Sequence, residues 1–229
     1  MSKEQDAQAV KDYFTREADR FDAIYEGANR GRLQAAVDSL FRTRNLIRRN
    51  ALIASLVDEG ASCFELGCGS GRTAVAIASA RRARVHGIDI AAPMIALAQR
   101  LAGEAGVAEL CSFEAADFDS FRPSQRYDTF VAVGVLDYFA DPLPMLQRAA
   151  GEFAPGGSIV LSWPGKRMLL NVARRAWLRT KRVPVTFYDD HEIARLAESI
   201  GGRVVRTEKI GAAPILVDGM ARIDLAKPS

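Results

Sequence analysis

Cys63-Phe64-Glu65-Leu66-Gly67-Cys68-Gly69-Ser70-Gly71 decides how the rest of the chain is read. An apolar run ends in three glycines at alternate positions, and a helical pattern begins near Arg72. That is a buried strand, a tight loop and a helix in succession. Glycines at such a loop permit left-handed dihedrals and let a ligand approach the backbone closely. The spacing excludes two familiar nucleotide sites. A dinucleotide fingerprint, Gly-x-Gly-x-x-Gly, needs a glycine where Arg72 stands, and a P-loop needs Gly-Lys-Ser/Thr where Gly71-Arg72-Thr73 stands. A purely structural turn is the remaining alternative to a ligand loop.

Outward from this stretch the chain alternates. Short apolar runs at Ser62–Leu66, Arg84–Ile88, Ser112–Glu114, Thr129–Val133 and Ser158–Ser162 read as buried parallel strands. Helical patterns lie at Thr73–Ser79, Ala92–Ala102 and Leu143–Phe153, and Pro155-Gly156-Gly157 forms a turn before the fifth strand. A helix over His191–Ser199 stops at Gly201-Gly202, and two strands follow around Arg203–Thr207 and Ile215–Met220. The expectation is an α/β fold with a doubly wound, seven-stranded, mostly parallel sheet, binding its ligand beyond the carboxyl ends of the strands. Residues 1–59 read as an N-terminal helical cap. Residues 60–229 read as the core, carrying a helical lid insertion at 163–187, all one folded unit.

Composition sets the outer bounds. The 229 residues suffice for one sizeable domain. With 31 basic and 28 acidic residues the net charge is only +3, which does not suggest a nucleic-acid partner. No run approaches the length of a membrane span, and Met1–Asp12 lacks the basic and apolar regions of a signal peptide. Three cysteines without zinc spacing and two histidines, His86 and His191, argue for a reduced, cytoplasmic protein without a metal centre.

The motif order carries a family resemblance. Glu65-Leu-Gly-Cys-Gly-Ser-Gly71 resembles the first motif of class I, Rossmann-like S-adenosylmethionine-dependent methyltransferases, acidic-x-Gly-x-Gly-x-Gly at the end of strand one. The resemblance implies that Glu65, Gly67, Cys68, Gly69 and Gly71 wrap the amino-acid end of S-adenosylmethionine, whose product is S-adenosylhomocysteine. Asp89 closes a second apolar strand 18 residues after Gly71 and is placed to accept from the ribose hydroxyls, with Ile90 and Met94 flanking the adenine. In Ala115-Ala116-Asp117-Phe118, Asp117 would accept from the adenine amino group and Phe118 would pack on the ring. The fourth strand, ending at Val133-Gly134, would pass beside the transferred methyl group. These motifs span about residues 60–165 in order, and the series is more specific than any one of them.

Methyl transfer needs chiefly alignment of the acceptor atom with the methyl carbon, plus a base where the acceptor is oxygen or nitrogen. Tyr138 and Asp137, just past strand four, are the leading candidates near the acceptor, with His191 a third that reaches in from the side. Many small-molecule members carry a histidine where Tyr138 stands, so a histidine base there is in doubt. The segment Val10–Asp22 is similar to the entry helix of methyltransferases of quinone or porphyrin biosynthesis, and Tyr13 is the candidate to close over the cofactor. Arg42, Arg44, Arg48 or Arg49 could pair with the methionine carboxylate, with a solvated helix face the alternative reading for most of the four. In the lid, Leu169, Val172, Ala173, Ala176 and Trp177 share a helical face, with Arg174, Arg175, Arg179, Lys181 and Arg182 mostly elsewhere. Three readings stay open there: a solvated basic edge, recognition of an acidic acceptor, and peripheral contact with an anionic membrane beside a lipid-like acceptor. The expected function is methylation of a small molecule at oxygen or nitrogen. Methylation of RNA or protein, and cofactor binding without turnover, are the alternatives.

Overall fold

Helix α1, β1 (Ser62–Leu66) and α2 (Arg72–Arg81) open the computed structural model, which describes residues 46–166, 185–212 and 216–227; the described part of α1 is 46–55. Then come β2 (Arg84–Asp89), α3 (Ala92–Glu104), β3 (Cys111–Ala115), β4 (Thr129–Ala132), α4 (Leu143–Arg148) and β5 (Ser158–Pro164). Helix α5 (Asp190–Ser199), β6 (Gly202–Ala212) and β7 (Leu216–Leu225) complete the described chain. The seven strands form one sheet in the order β3-β2-β1-β4-β5-β7-β6. β1 to β5 pair in parallel, while β7 runs antiparallel to both β5 and β6. This is the expected mostly parallel sheet, with one reversed strand inserted near its edge.

Alternation along β1 divides the core in two. Phe64 and Leu66 face one side, where Phe130, Phe153, Leu146 and Ile193 pack from β4, the end of α4 and α5. Cys63 faces the other, against Ile53 of α1 and Ala74 and Ile77 of α2. Both faces are therefore covered, as a parallel sheet requires. On the first face, Phe64 gathers Phe130, Phe153, Phe121, Tyr127 and His86 with ring centroids 4.5–5.7 Å away. His86 Nδ1 lies 2.9 Å from the Tyr127 hydroxyl, and burial lowers its pKa; it is a core histidine. On the second face, Arg222 of β7 donates to the Leu56 carbonyl and to both carboxylate oxygens of Asp58, tying the end of α1 to the sheet.

Two boundaries near the site differ from expectation. β5 continues through Trp163 and Pro164, and Gly165 pairs with Tyr188, where the sequence placed the start of an insertion at residue 163. The pattern at Leu143–Phe153 is an α-helix only to Arg148, and Ala149–Phe153 widens into a π-turn. Tyr13, Arg42, Arg44, the entry helix and the basic face of the lid lie outside the described residues.

Candidate active site

β1 and β4 are neighbours, but the chain leaves them towards opposite halves of the sheet. Such a divergence opens a crevice beyond the strand ends. A cavity of about 560 Å³ fills it, within the range of small-molecule sites.

The loop from β1 is shaped by backbone. Gly67, Gly69 and Gly71 have φ of +67°, +51° and +78°. Around Gly69 the space where a Cβ would sit is open, and the residue borders the cavity. At Gly71 a Cβ would lie 2.8 Å from Ala98 Cβ and 2.9 Å from Ala98 Cα. Gly71 thus lets α2 pack on α3 and does not border the cavity. Asp89, at the end of β2, holds the loop in place. Its Oδ2 accepts from the Gly69 N–H at 2.8 Å and its Oδ1 from the Ala91 N–H at 2.9 Å. A carboxylate has about four acceptor positions, so two remain for a ligand. Burial raises the Asp89 pKa, and the two backbone donors oppose that.

Glu65 sits deeper, with 1% of its surface exposed. It accepts from the Ala74 N–H in the first turn of α2, yet its Oε2 is buried without a hydrogen-bond partner. Burial, then the nearby Asp89 charge, push its pKa up to about 8, while Arg49 and the Ala74 N–H pull the other way. Glu65 and Arg49 both border the cavity, and Arg49 Nε is likewise buried without a partner. Unsatisfied buried polar atoms mark the spot that a polar ligand would complete.

Cys68, Ile90, Met94, Asp117, Phe118, Val133 and Gly134 border the same cavity. Asp117 closes its own turn by accepting from the Asp119 N–H at 2.9 Å. Phe118 is largely drawn into the aromatic core, 5.3 Å from Phe153, with the Arg148 guanidinium 4.6 Å from its ring centre.

Past β4, the Gly134 N–H donates to Ser162 Oγ and the chain enters a 3-10 turn at Leu136–Tyr138. Successive side chains of such a turn point about 120° apart. Tyr138 accordingly borders the cavity, whereas Asp137 is buried outside its wall, with its carbonyl accepting from the Thr186 N–H. Adjacent in sequence, Asp137 and Tyr138 thus occupy different environments, and of the two only Tyr138 borders the cavity. His191 lies elsewhere. It is exposed in the first turn of α5, off the cavity wall, beside Asp189 and Glu192, which form a reciprocal capping box. The polar segment there starts a helix. Arg48 is exposed and off the wall. Sequence reasoning missed Phe139, Asp141, Pro144, Met145 and Arg148, which also border the cavity. The Asp141-Pro142-Leu143-Pro144 helix start was the available signal for the middle of that group.

Among the described residues no cluster of histidine, cysteine and carboxylate side chains is placed to hold a metal, and no helix is long and apolar enough to cross a membrane.

Residues 64–159 match the family described as "Methyltransferase domain". The sheet and its helices have the class I methyltransferase fold, shared with magnesium protoporphyrin IX methyltransferase of Synechocystis solved with bound S-adenosylhomocysteine. That structure has a TM-score of 0.74 and 21% identity, covering 96% of this chain and 100% of that one. The [4+2]-cyclase SpnF has a TM-score of 0.72 at 16% identity, covering 96% of each chain. At such identities the likeness is one of fold. A trans-aconitate 2-methyltransferase of Streptomyces avermitilis is 28% identical over 147 residues, 61% of this chain and 55% of that protein. The chain thus spans about half the length of the curated relatives it matches. The matched domain holds the glycine loop, Asp89, Asp117 and the turn at Tyr138.

Proposed function

We propose that this protein is an S-adenosylmethionine-dependent methyltransferase acting on oxygen or nitrogen of a small-molecule acceptor. The observation that carries the reading is the unpartnered Oε2 of Glu65, buried in one cavity wall with the open backbone of Gly69 and with Asp89 and Asp117. These residues fit the cofactor. Glu65 and Arg49 would receive the ammonium and carboxylate of its amino-acid end. The two remaining acceptor positions of Asp89 suit the ribose hydroxyls. Ile90 and Met94 would flank the adenine, Asp117 would accept from its amino group, and Phe118 would support it. Val133 and Gly134 would lie beside the sulfur. The names of the relatives, methyltransferases of trans-aconitate and of magnesium protoporphyrin IX, support a small-molecule acceptor.

When bound, the cofactor supplies a methyl group on a sulfonium leaving group. The chain's own work would be alignment: the loop after β4 would hold the acceptor in line with the bound cofactor and keep water out. The Tyr138 hydroxyl orients the acceptor and takes part in passing its proton to solvent. The test is calorimetry of the full chain with S-adenosylhomocysteine. Saturable one-to-one binding is expected, abolished by Gly69→Trp, which fills the open space, and by Asp89→Ala, which frees the loop. Unchanged affinity in both folded variants would sink the assignment. Methyl-labelled cofactor added with fractionated lysate then distinguishes classes: label in the small-molecule fraction supports the reading, and label in protein or RNA overturns it.

A further inference from the structure

Resting on that reading, the rest of the wall says what kind of acceptor fits. Three arginines, Arg49, Arg72 and Arg148, share the described cavity wall with five carboxylic acids. Two of the arginines belong to the cofactor's amino-acid end: Arg49 lies close enough to Glu65 to lower its pKa, and Arg72 directly follows the glycine loop. The third is committed elsewhere. Arg148 Nε donates to both carboxylate oxygens of Glu152, Nη1 to the Phe118 carbonyl, and Nη2 to the Phe121 carbonyl and Glu152. Every nitrogen of its guanidinium already has an acceptor, and Glu152 neutralises its charge.

Among the described residues, the wall left over after the cofactor is placed comes chiefly from the loop and helix following β4. Its side chains are Val135, Tyr138, Phe139, Pro144 and Met145, with Asp141 contributing a carboxylate. Asp141 Oδ1 accepts from the Leu143 N–H at the start of α4, which fixes the carboxylate at this rim. An apolar and aromatic surface favours a flat or aliphatic body. Among the described residues this rim carries a fixed negative charge and no cation beyond the three arginines already assigned, which disfavours anions.

We infer that the acceptor is an apolar-bodied molecule, neutral or cationic, and not a polycarboxylate. This separates the chain from its trans-aconitate-methylating relative in acceptor class while keeping the cofactor site. Charge alone can be varied on one ring system: 1-naphthol is neutral, 1-naphthoate anionic and 1-naphthylmethylamine cationic. Each is titrated, by ligand-observed NMR, into the full chain loaded with S-adenosylhomocysteine. Naphthol and the amine should bind at least about tenfold more tightly than naphthoate, and trans-aconitate should show no binding. Asp141→Asn, which keeps the Oδ1 acceptor at the helix start, should narrow the gap between naphthol and naphthoate; an unchanged gap overturns the part given to Asp141. Naphthoate binding as tightly as naphthol, trans-aconitate binding, or no naphthyl probe binding to the loaded protein overturns the inference and leaves the cofactor reading intact. A chain that fails to bind S-adenosylhomocysteine at all overturns both.

Discussion

The loops after β1 and β4 leave the carboxyl ends of adjacent central strands and border one cavity, yet they are built in opposite ways. The first is a backbone construction. Three positive-φ glycines bend it, Asp89 pins an amide, and close approach of α3 forbids side chains at Gly71. The second is a side-chain construction. One glycine and one hydroxyl, Ser162, turn it, and Val135, Tyr138 and Phe139 then supply its surface. A backbone-built loop tolerates few sequences and serves an invariant ligand portion. A side-chain-built loop can change its lining without changing its path, which is where differences in acceptor can be accommodated.

The sharpest way to break this contrast is at Gly71. Gly71→Val combines a positive φ with overlap against Ala98, and should cost about 3 kcal/mol in urea unfolding. Gly69→Ala, with open space around it, should cost about 1 kcal/mol from φ alone. Equal losses at the two positions would mean that packing on α3 is not what makes the third glycine necessary.

Glu65 offers an effect of similar size, spread over pH. Its carboxyl pKa is pushed up to about 8 in the folded chain, from the ordinary 4.5. Between those values the folded state holds more protons than the unfolded one, so stability of the ligand-free protein falls as pH rises, by about 1 kcal/mol per pH unit, and levels off above pH 8. Glu65→Gln should flatten that slope. An ammonium seated beside Oε2 favours the ionised form, so affinity for S-adenosylhomocysteine should strengthen with pH over the same window, about tenfold per unit at most. Calorimetry in buffers of different ionisation enthalpy should register a released proton. A stability profile equally flat in wild type and variant would show that Glu65 is ionised throughout.

The same contrast explains what the sequence disclosed. β1, β2, β4 and β5 could be located to within a residue or two because buried parallel strands are short apolar runs between turn signals; β3, at the edge of the sheet with no fully buried residue, was placed as closely by its turn signals. β6 and β7 proved longer than their apolar segments, Gly202–Ala212 and Leu216–Leu225, because charged residues such as Arg206, Glu208, Arg222 and Asp224 alternate along them and pair with one another and with Asp58. The backbone-built loop was legible from glycine spacing. The wall after β4 was not, since a 3-10 turn sends Asp137 and Tyr138 to different surroundings, and Arg148 reaches the cavity from a helix whose sequence reads as ordinary amphipathic packing. Gly87 also escaped notice. A Cβ there would lie 2.7 Å from Cys68 Cβ, so the glycine loop needs a gap in a neighbouring strand that no local pattern announces.

The smallest effect belongs to Tyr138, the residue of the side-chain-built loop that borders the cavity where a proton must be managed. Tyr138→Phe keeps the ring and removes one oxygen. Unfolding free energy should change by no more than about 1 kcal/mol, and affinity for S-adenosylhomocysteine should stay as in wild type, because the cofactor side of the cavity is untouched. Turnover with the identified acceptor should drop about tenfold, more in kcat than in KM if the hydroxyl acts on the proton, and more in KM if it only binds the ground state. Methylation at a carbon acceptor would need no such group. Unchanged kcat and KM in Tyr138→Phe would leave the loop after β4 as a shaped surface alone, with alignment as its whole contribution to the chemistry.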